Sequence, residues 1–317
     1  MNVFIKGFIM IPRRSILSVP GHKEKMHHKA AQSEADVVML DLEDGVPIDA
    51  KEQARSVIGN SLAHIDWGKK TVSVRTNGLG TPFAYKDILA VVGLKSVSLN
   101  SLVIPKVDDI ADIHFVARFL DGIEMANPNN APVKIEASIE TARGLSNIND
   151  IAKSSDRLIS LVFGIADYTA SVGARLISLS GHGDDDNTVY PGHRWHYALS
   201  RIVMAAKANN LLAIDAPYGN YKDKNGLKQS SSMARALGCD GKWAIHPSQL
   251  AIINAYFSPL PDDIEKATTI LDACQKNNQY DVIAIDGHMV DQATIRLAKQ
   301  TCEMANCLGI IQNKKND

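Results

Sequence analysis

Short apolar runs alternate along the chain with longer stretches in which apolar residues recur at helical spacing. Eight apolar runs cover residues 15–19, 37–42, 71–75, 101–104, 133–137, 158–163, 211–214 and 242–245. The clearest helical stretches between them cover residues 50–63, 82–92, 110–125 and 193–209. Short and nearly continuous apolar runs are typical of strands that are buried on both faces of a parallel sheet.

This alternation predicts an α/β fold, and specifically a (β/α)8 barrel, the TIM barrel. A doubly wound open sheet is the alternative, but no Gly-x-Gly-x-x-Gly motif follows the first run. The pattern changes after Tyr256, where Pro259 and Pro261 indicate a linker. We therefore expect a barrel domain over residues 1–257. A C-terminal helical segment over residues 258–317 is too small for a robust core of its own.

Composition and charge exclude several classes of protein. The chain has 317 residues and a formal net charge of -1, so no global field attracts nucleic acid or an anionic membrane. No apolar run approaches the roughly 20 residues of a membrane span. The four cysteines form no Cys-x-x-Cys pair, which favours a reducing, cytoplasmic setting. The N-terminus lacks the features of a signal peptide, and both Met1 and Met10 stay open as the start.

Charged residues stand directly after most of the predicted strands, at the end where a barrel of this kind carries its active site. Lys23, Lys25 and Lys29 follow the first run, and Glu43 and Asp44 follow the second. The later strand ends carry Arg75, Lys106, Glu140, Asp167 and His246. Acidic residues also favour helix N-termini. Helix capping can explain a charged residue at any single strand end. It explains less well why charged residues follow seven of the eight strands.

Two of these acids are the best candidates for a metal site. Glu140 and Asp167 follow neighbouring strands, and an oxygen-only pair of this kind suits Mg²⁺, which completes its shell with water and substrate oxygens. The competing interpretation is a capping or salt-bridge pair. Arg75 carries a planar fork suited to a carboxylate or a developing enolate oxygen. Alternatively, it forms a structural ion pair with Glu43 or Asp44.

Several segments resemble the HpcH/HpaI aldolase and citrate lyase β-subunit superfamily. They are RRSILSVPG, ADVVMLDLEDGV, VRTNG, IPKV, ASIETARGL, LVFGIADYTASVGAR, the block over residues 190–223 and DGKWAIHPSQL. The chain is most similar to the branch of L-malyl-CoA/β-methylmalyl-CoA lyases and related CitE-like acyl-CoA lyases. The similarity runs from about Arg13 to the C-terminus.

The resemblance implies a Mg²⁺-dependent lyase of coenzyme A thioesters, with Mn²⁺ able to replace Mg²⁺. It implies that Glu140 and Asp167 hold the metal and that Arg75 binds the substrate. The remaining substrate and coenzyme contacts that it implies are Ser18, Lys23, Lys29, Ala166, Asp167, Ile245 and His246. It also implies a homotrimer or homohexamer in which Asp291, from DGHMVD, reaches a neighbouring subunit's site, so that the C-terminal segment acts as a lid.

The implied reaction is the retro-aldol cleavage of a 3-hydroxy-3-carboxyacyl-CoA such as (S)-malyl-CoA, or the reverse Claisen-type condensation. In this hypothesis Arg75 stabilises the enolate of acetyl-CoA and Asp291 exchanges its carbon-bound proton. Glu43 and Asp44 orient Arg75, and no Schiff base on Lys106 is needed. Three alternatives stay open: a malyl-CoA thioesterase on the same scaffold, a citrate lyase β subunit, and a citramalyl-CoA lyase.

Overall fold

Eight parallel strands in the described part of the chain close into a barrel, in the order β1 to β8. The computed structural model describes residues 12–94, 98–126, 131–176, 178–179, 194–276, 283–285 and 287–311. The strands are β1 Ser15–Pro20, β2 Val37–Asp41, β3 Thr71–Arg75, β4 Ser101–Ile104, β5 Lys134–Ile139, β6 Leu158–Phe163, β7 Leu212–Asp215 and β8 Gly241–Ala244. The predicted TIM barrel is confirmed, and the open-sheet alternative is wrong because β1 also pairs with β8.

Helices follow the strands along the chain. Those of the barrel are α1 Glu24–Ala31, α2 Lys51–His64, α3 Ala84–Val92, α4 Ile110–Ala126, α5 Ala142–Ser146, α6 Ile148–Ala152, α7 Ile165–Ser171, α8 His196–Ala208, α9 Lys224–Leu237 and α10 Leu250–Phe257. Short 3₁₀ turns cover Ile48–Ala50 and Pro247–Gln249. Among the described helices, none is long and apolar enough to cross a membrane.

Alternate residues of the strands fill the inside of the barrel. Its apolar core consists of Ile16, Val37, Met39, Val103, Val162, Ile214 and Trp243. Because side chains alternate along a strand, residues two positions further on point the same way. Asp41 therefore continues the inward face of Val37 and Met39, and it is the register partner of Arg75 on β3. The strand pattern thus delivers charged side chains to the carboxyl end of the barrel.

A polar layer lies at the opposite, amino end of the barrel interior. Glu136 accepts hydrogen bonds from Ser101 at 2.6 Å and from Ser160 at 2.8 Å, and it is ion-paired with Arg13. All four residues are buried. Paired and hydrogen-bonded in this way, the charges of Arg13 and Glu136 do not stand alone in the apolar interior.

The C-terminal residues from Tyr256 onward belong to a second unit, distinct from the unit formed by Arg13–Ala255. This unit contains α11 Pro261–Lys276, α12 Gln292–Cys307 and an antiparallel pair of strands, β9 Ile283–Ile285 and β10 His288–Val290. Cys274, Val290 and Ile295 form its small buried cluster. The sequence pattern predicts only the helices here. The strand pair is additional, and Asp291 follows it directly.

Candidate active site

A buried ion pair between Asp41 and Arg75 forms the inner wall of the site. Arg75 Nε and Nη2 each donate to one carboxylate oxygen of Asp41, both at 2.7 Å. The guanidinium also lies 5.5 Å from the ring centre of Trp243. Burial alone would raise the pKa of Asp41, but the charge and hydrogen bonds of Arg75 outweigh it and lower that pKa. Arg75 is therefore a rigidly oriented cation. Its third nitrogen, Nη1, is not used by Asp41 and faces Glu43.

Glu43 connects Arg75 to a second cation. Its Oε2 lies 2.9 Å from Arg75 Nη1, and its Oε1 accepts a hydrogen bond from Lys106 Nζ at 2.7 Å. Lys51, the first residue of α2, fixes this loop by donating to the carbonyl oxygens of Leu42 and Glu43, each at 2.6 Å. Burial raises the pKa of Glu43 although both cations oppose the shift. Glu43 is therefore a buried bridge between the two cations.

Asp44 lies at the edge of this network. Its carboxylate is 3.8 Å from Arg75 Nη1, and its side chain is 66% exposed. The predicted ion pairs of Arg75 with Glu43 and Asp44 both occur, but the shortest contacts of Arg75 are with Asp41. Asp44 therefore adds negative charge near the solvent side of the guanidinium and holds it less firmly than Asp41 does.

Lys106 follows β4 and lies among three carboxylates. Its Nζ is 2.7 Å from Glu43 Oε1, 3.4 Å from Asp167 Oδ2 and 4.0 Å from Glu140 Oε1. Burial would lower the pKa of Lys106, but its bond to Glu43 and the neighbouring acids raise that pKa above the usual value. Its backbone is left-handed, with φ of 52°, a conformation that costs a non-glycine residue about 1–2 kcal/mol.

Glu140 follows β5 and is almost fully buried. Its Oε1 accepts a hydrogen bond from the backbone N–H of Lys106 at 2.7 Å. Burial of the carboxyl group, and then the negative charge of Glu43, raise the pKa of Glu140 to about 7. Gly164, at the end of β6, makes room for this side chain, because a Cβ atom there would overlap the Glu140 carboxylate.

Asp167 lies in the first turn of α7, and its side chain is partly exposed, close to Lys106. Ala166 precedes it, so the backbone of both residues belongs to the N-terminal turn of that helix. The helix places Asp167 beside the mouth of the barrel, where Lys106 lies within 4.0 Å of both this carboxylate and that of Glu140.

The donor set of Glu140 and Asp167 fits a hard divalent cation. Both present oxygen atoms to one ammonium group, that of Lys106, which shows that positive charge is favoured there. The raised pKa of Glu140 indicates that its negative charge is not fully compensated. In the described residues, no group of three or more His, Cys, Asp or Glu side chains is arranged for a metal. A metal on this pair would therefore keep positions for water and substrate oxygens.

Strand β1, the loop after it and helix α1 carry the predicted coenzyme contacts. Ser18 is two residues beyond Ile16 on the inward face of β1, whereas Lys23 and Lys29 are exposed around α1. His27 fixes this loop from beneath, with Nε2 3.1 Å from the carbonyl oxygen of Pro20 and Nδ1 2.7 Å from Ser61 Oγ. Burial lowers the pKa of His27, which favours the neutral ring that can make both bonds.

The turn after β8 carries Ile245 and His246, both exposed. The His246 ring stacks on Tyr221, with ring centres 4.7 Å apart, and its Nδ1 lies 2.8 Å from Ser248 Oγ. The backbone N–H groups of Ile245 and His246 both donate to Oε1 of buried Gln249, at 2.9 and 3.3 Å. Gln249 thus already occupies the backbone donors of this turn, and any ligand contact there uses other atoms.

Asp291 belongs to the second unit, where it begins α12. Its Oδ1 accepts hydrogen bonds from the backbone N–H of Thr294 at 2.9 Å and from the Thr294 hydroxyl at 3.0 Å. These bonds lower the pKa of Asp291. Its role in the described chain is that of a helix N-cap, a position that Asp favours in general.

Comparison with known proteins identifies the family. The model of the HpcH/HpaI aldolase/citrate lyase family matches residues 14–247. The chain belongs to this family. An L-malyl-CoA/β-methylmalyl-CoA lyase from Cereibacter sphaeroides is 36% identical over 304 residues, which cover 94% of this chain and 96% of the relative. A (3S)-malyl-CoA thioesterase from the same species is 33% identical over 299 residues, which cover 94% of this chain and 96% of the thioesterase.

A solved structure gives the same result. The protein CitE from Mycobacterium tuberculosis, in complex with magnesium, acetoacetate and coenzyme A, matches with a TM-score of 0.73 and 26% identity. The match covers 94% of this chain and 100% of that one. Together with the family model, it confirms the resemblance that the sequence motifs indicate. The TIM barrel of the HpcH/HpaI family is therefore the frame on which these side chains are arranged.

Sequence reasoning missed four contributors to the site of this HpcH/HpaI family member. Asp41 has the same strand parity as Met39 and therefore points inward, a signal for a role that the sequence pattern assigns only to its neighbours. Lys106 is predicted as a charged residue at a strand end, but its contacts with the three carboxylates are not predicted. Gly164 and Gln249 act by making room for Glu140 and by bonding a turn, and no local sequence pattern signals either role.

Proposed function

We propose that this chain is a Mg²⁺-dependent carbon–carbon lyase that acts on a coenzyme A thioester. The substrate is a 3-hydroxy-3-carboxyacyl-CoA such as (S)-malyl-CoA, cleaved to acetyl-CoA and glyoxylate or formed in the reverse direction. The observation that carries the proposal is the convergence of Arg75, Glu140 and Asp167 around Lys106 and Glu43 in a chain 36% identical to an L-malyl-CoA/β-methylmalyl-CoA lyase. Mn²⁺ is expected to replace Mg²⁺.

Glu140 and Asp167 would hold the metal ion. When bound, the ion supplies positive charge next to the hydroxyl and carboxylate oxygens of the substrate. The Arg75 guanidinium supplies a second, fixed positive charge, and Asp41 prevents it from turning because it holds two of its nitrogens. Glu43, with Asp44 at the edge, orients Nη1 of Arg75.

Cleavage breaks one carbon–carbon bond of the substrate. The hydroxyl proton passes to water as the hydroxyl group becomes the aldehyde of glyoxylate, while the electron pair of the broken bond moves into the thioester as an enolate. Arg75 stabilises the charge on that enolate oxygen, and a single well-placed donor of this kind contributes about 3 kcal/mol. Asp291 then delivers a proton to the enolate carbon, or removes it in the condensation direction.

The coenzyme A portion of the substrate is assigned to the rim at β1, the loop after it and α1, and the rest of the substrate is assigned to the rim at the loops after β6 and β8. Lys23 and Lys29 are exposed cations suited to phosphate groups. Ser18, on the inward face of β1, is assigned to the thioester end of the coenzyme. The remaining contacts are assigned to Ala166, Asp167, Ile245 and His246. His27 supports this rim by holding the loop that carries Lys23.

The assembly is proposed to be a homotrimer or homohexamer in which Asp291 serves the barrel of a neighbouring subunit. Two observations support this. Asp291 belongs to a unit separate from Arg13–Ala255, and the buried cluster of that unit is small. A short segment of this kind gains stability by packing on a larger body, and a symmetric neighbour offers one.

A coupled assay on the purified protein tests the reaction. (S)-Malyl-CoA and Mg²⁺ are supplied, any 2-oxo acid is trapped as its hydrazone, and free thiol is followed in parallel. Oxo acid without thiol supports the lyase. If folded protein releases no oxo acid and no thiol, (S)-malyl-CoA is not the substrate. The assay is then repeated with citramalyl-CoA and with a carrier-bound thioester.

Asp167→Ala tests the metal assignment in the same assay. We expect loss of activity with an unchanged circular dichroism spectrum, because Asp167 is partly exposed and its removal opens no buried cavity. Asp150→Ala is the matched control, since Asp150 is an exposed acid paired with Lys153 on α6. Full activity of Asp167→Ala, or of the wild type in excess chelator, contradicts the assignment.

A malyl-CoA thioesterase is the second candidate, favoured by the 33% identity to a (3S)-malyl-CoA thioesterase. It would use the same barrel and the same coenzyme rim, but it would hydrolyse the thioester bond. Thiol and free malate without any oxo acid would identify it. Asp291 would then activate water instead of exchanging a proton with carbon.

A further inference from the structure

Lys106 differs from the other described residues of the site because its backbone is strained. In the described chain, Lys106 and Asn210 are the two non-glycine residues with positive φ. Asn adopts this conformation readily, whereas a lysine does so rarely. Strain of this kind persists only where the surroundings enforce it, and it is concentrated at functional sites.

The strained backbone lets one residue contact the metal-binding pair in two ways. The Lys106 N–H donates to Glu140 Oε1 at 2.7 Å, while the side chain turns back so that Nζ lies 4.0 Å from the same oxygen. Nζ also lies 3.4 Å from Asp167 Oδ2 and 2.7 Å from Glu43 Oε1. The N–H bond orients Glu140, and the ammonium group places a positive charge beside both candidate ligands.

We infer that the Lys106 ammonium is a built-in counter-cation, which stabilises Glu140 and Asp167 in the metal-free protein and competes with the divalent ion for them. This inference rests on the proposed metal-dependent function. It makes Lys106 a positioning residue whose charge sets the metal affinity. Glu43 is the carboxylate nearest to Lys106 Nζ, and the Lys106 side chain is 40% exposed. The ammonium group can therefore move away from Asp167 and still remain paired with Glu43 and solvated by water.

The competition has a definite sign. A lysine that merely helps to build the site would weaken metal binding when it is removed. If Lys106 competes with the metal, removing its charge would strengthen metal binding, because the ammonium group no longer repels the divalent ion and no longer pairs with the two carboxylates. The backbone N–H that orients Glu140 remains after any side-chain substitution at this position.

Mn²⁺ titration, followed by electron paramagnetic resonance of the free ion, distinguishes these cases without any substrate. We expect Lys106→Met to lower the Kd for Mn²⁺ by about fivefold or more. Lys106→Gln removes the charge but keeps a polar side chain, and it should also lower the Kd for Mn²⁺. It replaces Lys106→Met in the experiment if that variant folds poorly. Lys153→Met is the matched control, because it removes one positive charge from the exposed Asp150 pair and should leave the Kd unchanged.

The outcomes separate the inference from the proposed function. If the wild type binds Mn²⁺ and both Lys106 variants bind it equally well or more weakly, the inference is wrong and the proposed function stands. If the wild type binds no Mn²⁺, or Glu140→Gln binds it as well as the wild type does, the metal assignment itself fails. A Kd that falls equally in Lys153→Met would show an effect of net charge alone and would also overturn the inference.

Discussion

Asp41 and Arg75 face each other across β2 and β3, and neither side chain has much access to water. Two charges removed from water stabilise a fold only while they remain together. Their pairing keeps the guanidinium in one orientation, with Nη1 toward Glu43. At the scale of single residues, the site therefore depends on Asp41 as much as on any group that would contact the substrate.

Removing the charge of Asp41 should reveal this dependence. We expect Asp41→Asn to lower the free energy of unfolding by about 3 kcal/mol, because it leaves the buried Arg75 cation with Glu43 as its remaining close partner. Urea denaturation followed by circular dichroism measures the loss. Asp150→Asn, at an exposed pair, should cost at most about 0.5 kcal/mol. Equal losses in the two variants would contradict the prediction.

Glu140 predicts a pH dependence of stability in the metal-free protein. Its pKa is raised from 4.5 to about 7, so the folded state holds this proton more firmly than the unfolded state does. The stabilising contribution is complete below pH 4.5 and is lost as the pH rises through about 7. Glu140→Gln removes this contribution.

In excess chelator, the Tm of Glu140→Gln relative to the wild type should therefore rise between pH 4.5 and about 7 and become constant above that pH. Added Mg²⁺ should restore stability to the wild type above pH 7 and leave Glu140→Gln unaffected, because an ion that binds only the folded state stabilises it. A difference in Tm that does not change with pH would show that Glu140 is ionised throughout this range.

At the scale of elements, the strands could be predicted from the sequence and the turns after them could not. The runs at 71–75, 101–104 and 158–163 match β3, β4 and β6 residue for residue, because nearly every residue of these strands is buried and both faces are covered. β5 extends two residues beyond its predicted end, to Ile139. Its last residues include Ser138, a polar side chain that the barrel interior accommodates.

The turns carry information that no periodicity contains. Lys106 contacts its carboxylates because its backbone is left-handed, and nothing in IPKV predicts that conformation. Gln249 bonds the turn at Ile245 from four residues away, a relation that depends on the 3₁₀ turn between them. The place of a charged residue after a strand therefore predicts that it belongs to the site, as for Glu140, Asp167 and Lys106, but not which groups contact and orient one another.

Gly164 offers a test at the start of α7. Its φ of -100° suits any residue, so Gly164→Ala acts only through the methyl group that would overlap the Glu140 carboxylate. We expect the Mn²⁺ affinity and kcat each to fall by about tenfold or more, because a misplacement of about 1 Å at a reacting centre can lower the reaction rate by about a hundredfold. The Tm should fall only slightly. Isothermal titration and the hydrazone assay measure both quantities.

Gly78→Ala is the matched control for this experiment. Gly78 lies in the loop after β3, and no atom lies within 4 Å of a Cβ placed there. Its variant should bind Mn²⁺ and turn over substrate as the wild type does. A Gly164→Ala variant with wild-type metal affinity would show that Glu140 is not fixed in the position described.

At the scale of the whole molecule, the chain separates its proposed proton donor from its proposed metal ligands. Asp167 belongs to the unit Arg13–Ala255, and Asp291 belongs to the other unit. If Asp291 serves a neighbouring barrel, each active site combines two chains. The functional unit is then an oligomer, and a single chain contains two incomplete halves of two different sites.

Mixed oligomers test this arrangement. Asp167→Ala and Asp291→Ala should each be inactive alone. Coexpressed with different affinity tags and purified through both, they should recover about a third of the wild-type activity in a trimer, where one of the three sites joins an intact barrel to an intact neighbouring tail, and about a quarter in a hexamer. The control pair is Asp167→Ala with Glu140→Gln, because both defects lie in the same barrel and cannot complement each other.

Recovery by the first pair and not by the second would establish that sites are shared between subunits. Doubly tagged oligomers without any recovered activity would place Asp291 in its own subunit's site or outside catalysis. A protein that elutes as a monomer in gel filtration would exclude the shared arrangement directly.

The glycines beside the acidic groups also affect how this protein can change. A Cβ atom at Gly45 would lie 2.6 Å from an Asp41 oxygen, and one at Gly164 would overlap Glu140. Asp41 and Glu140 are thus each bordered by a glycine at which any side chain would displace the carboxylate. We therefore expect variation in acyl-group preference, whether by evolution or in a directed library, to occur at exposed rim positions such as Ile245 and His246, whose bonds described above are to Gln249 and Ser248.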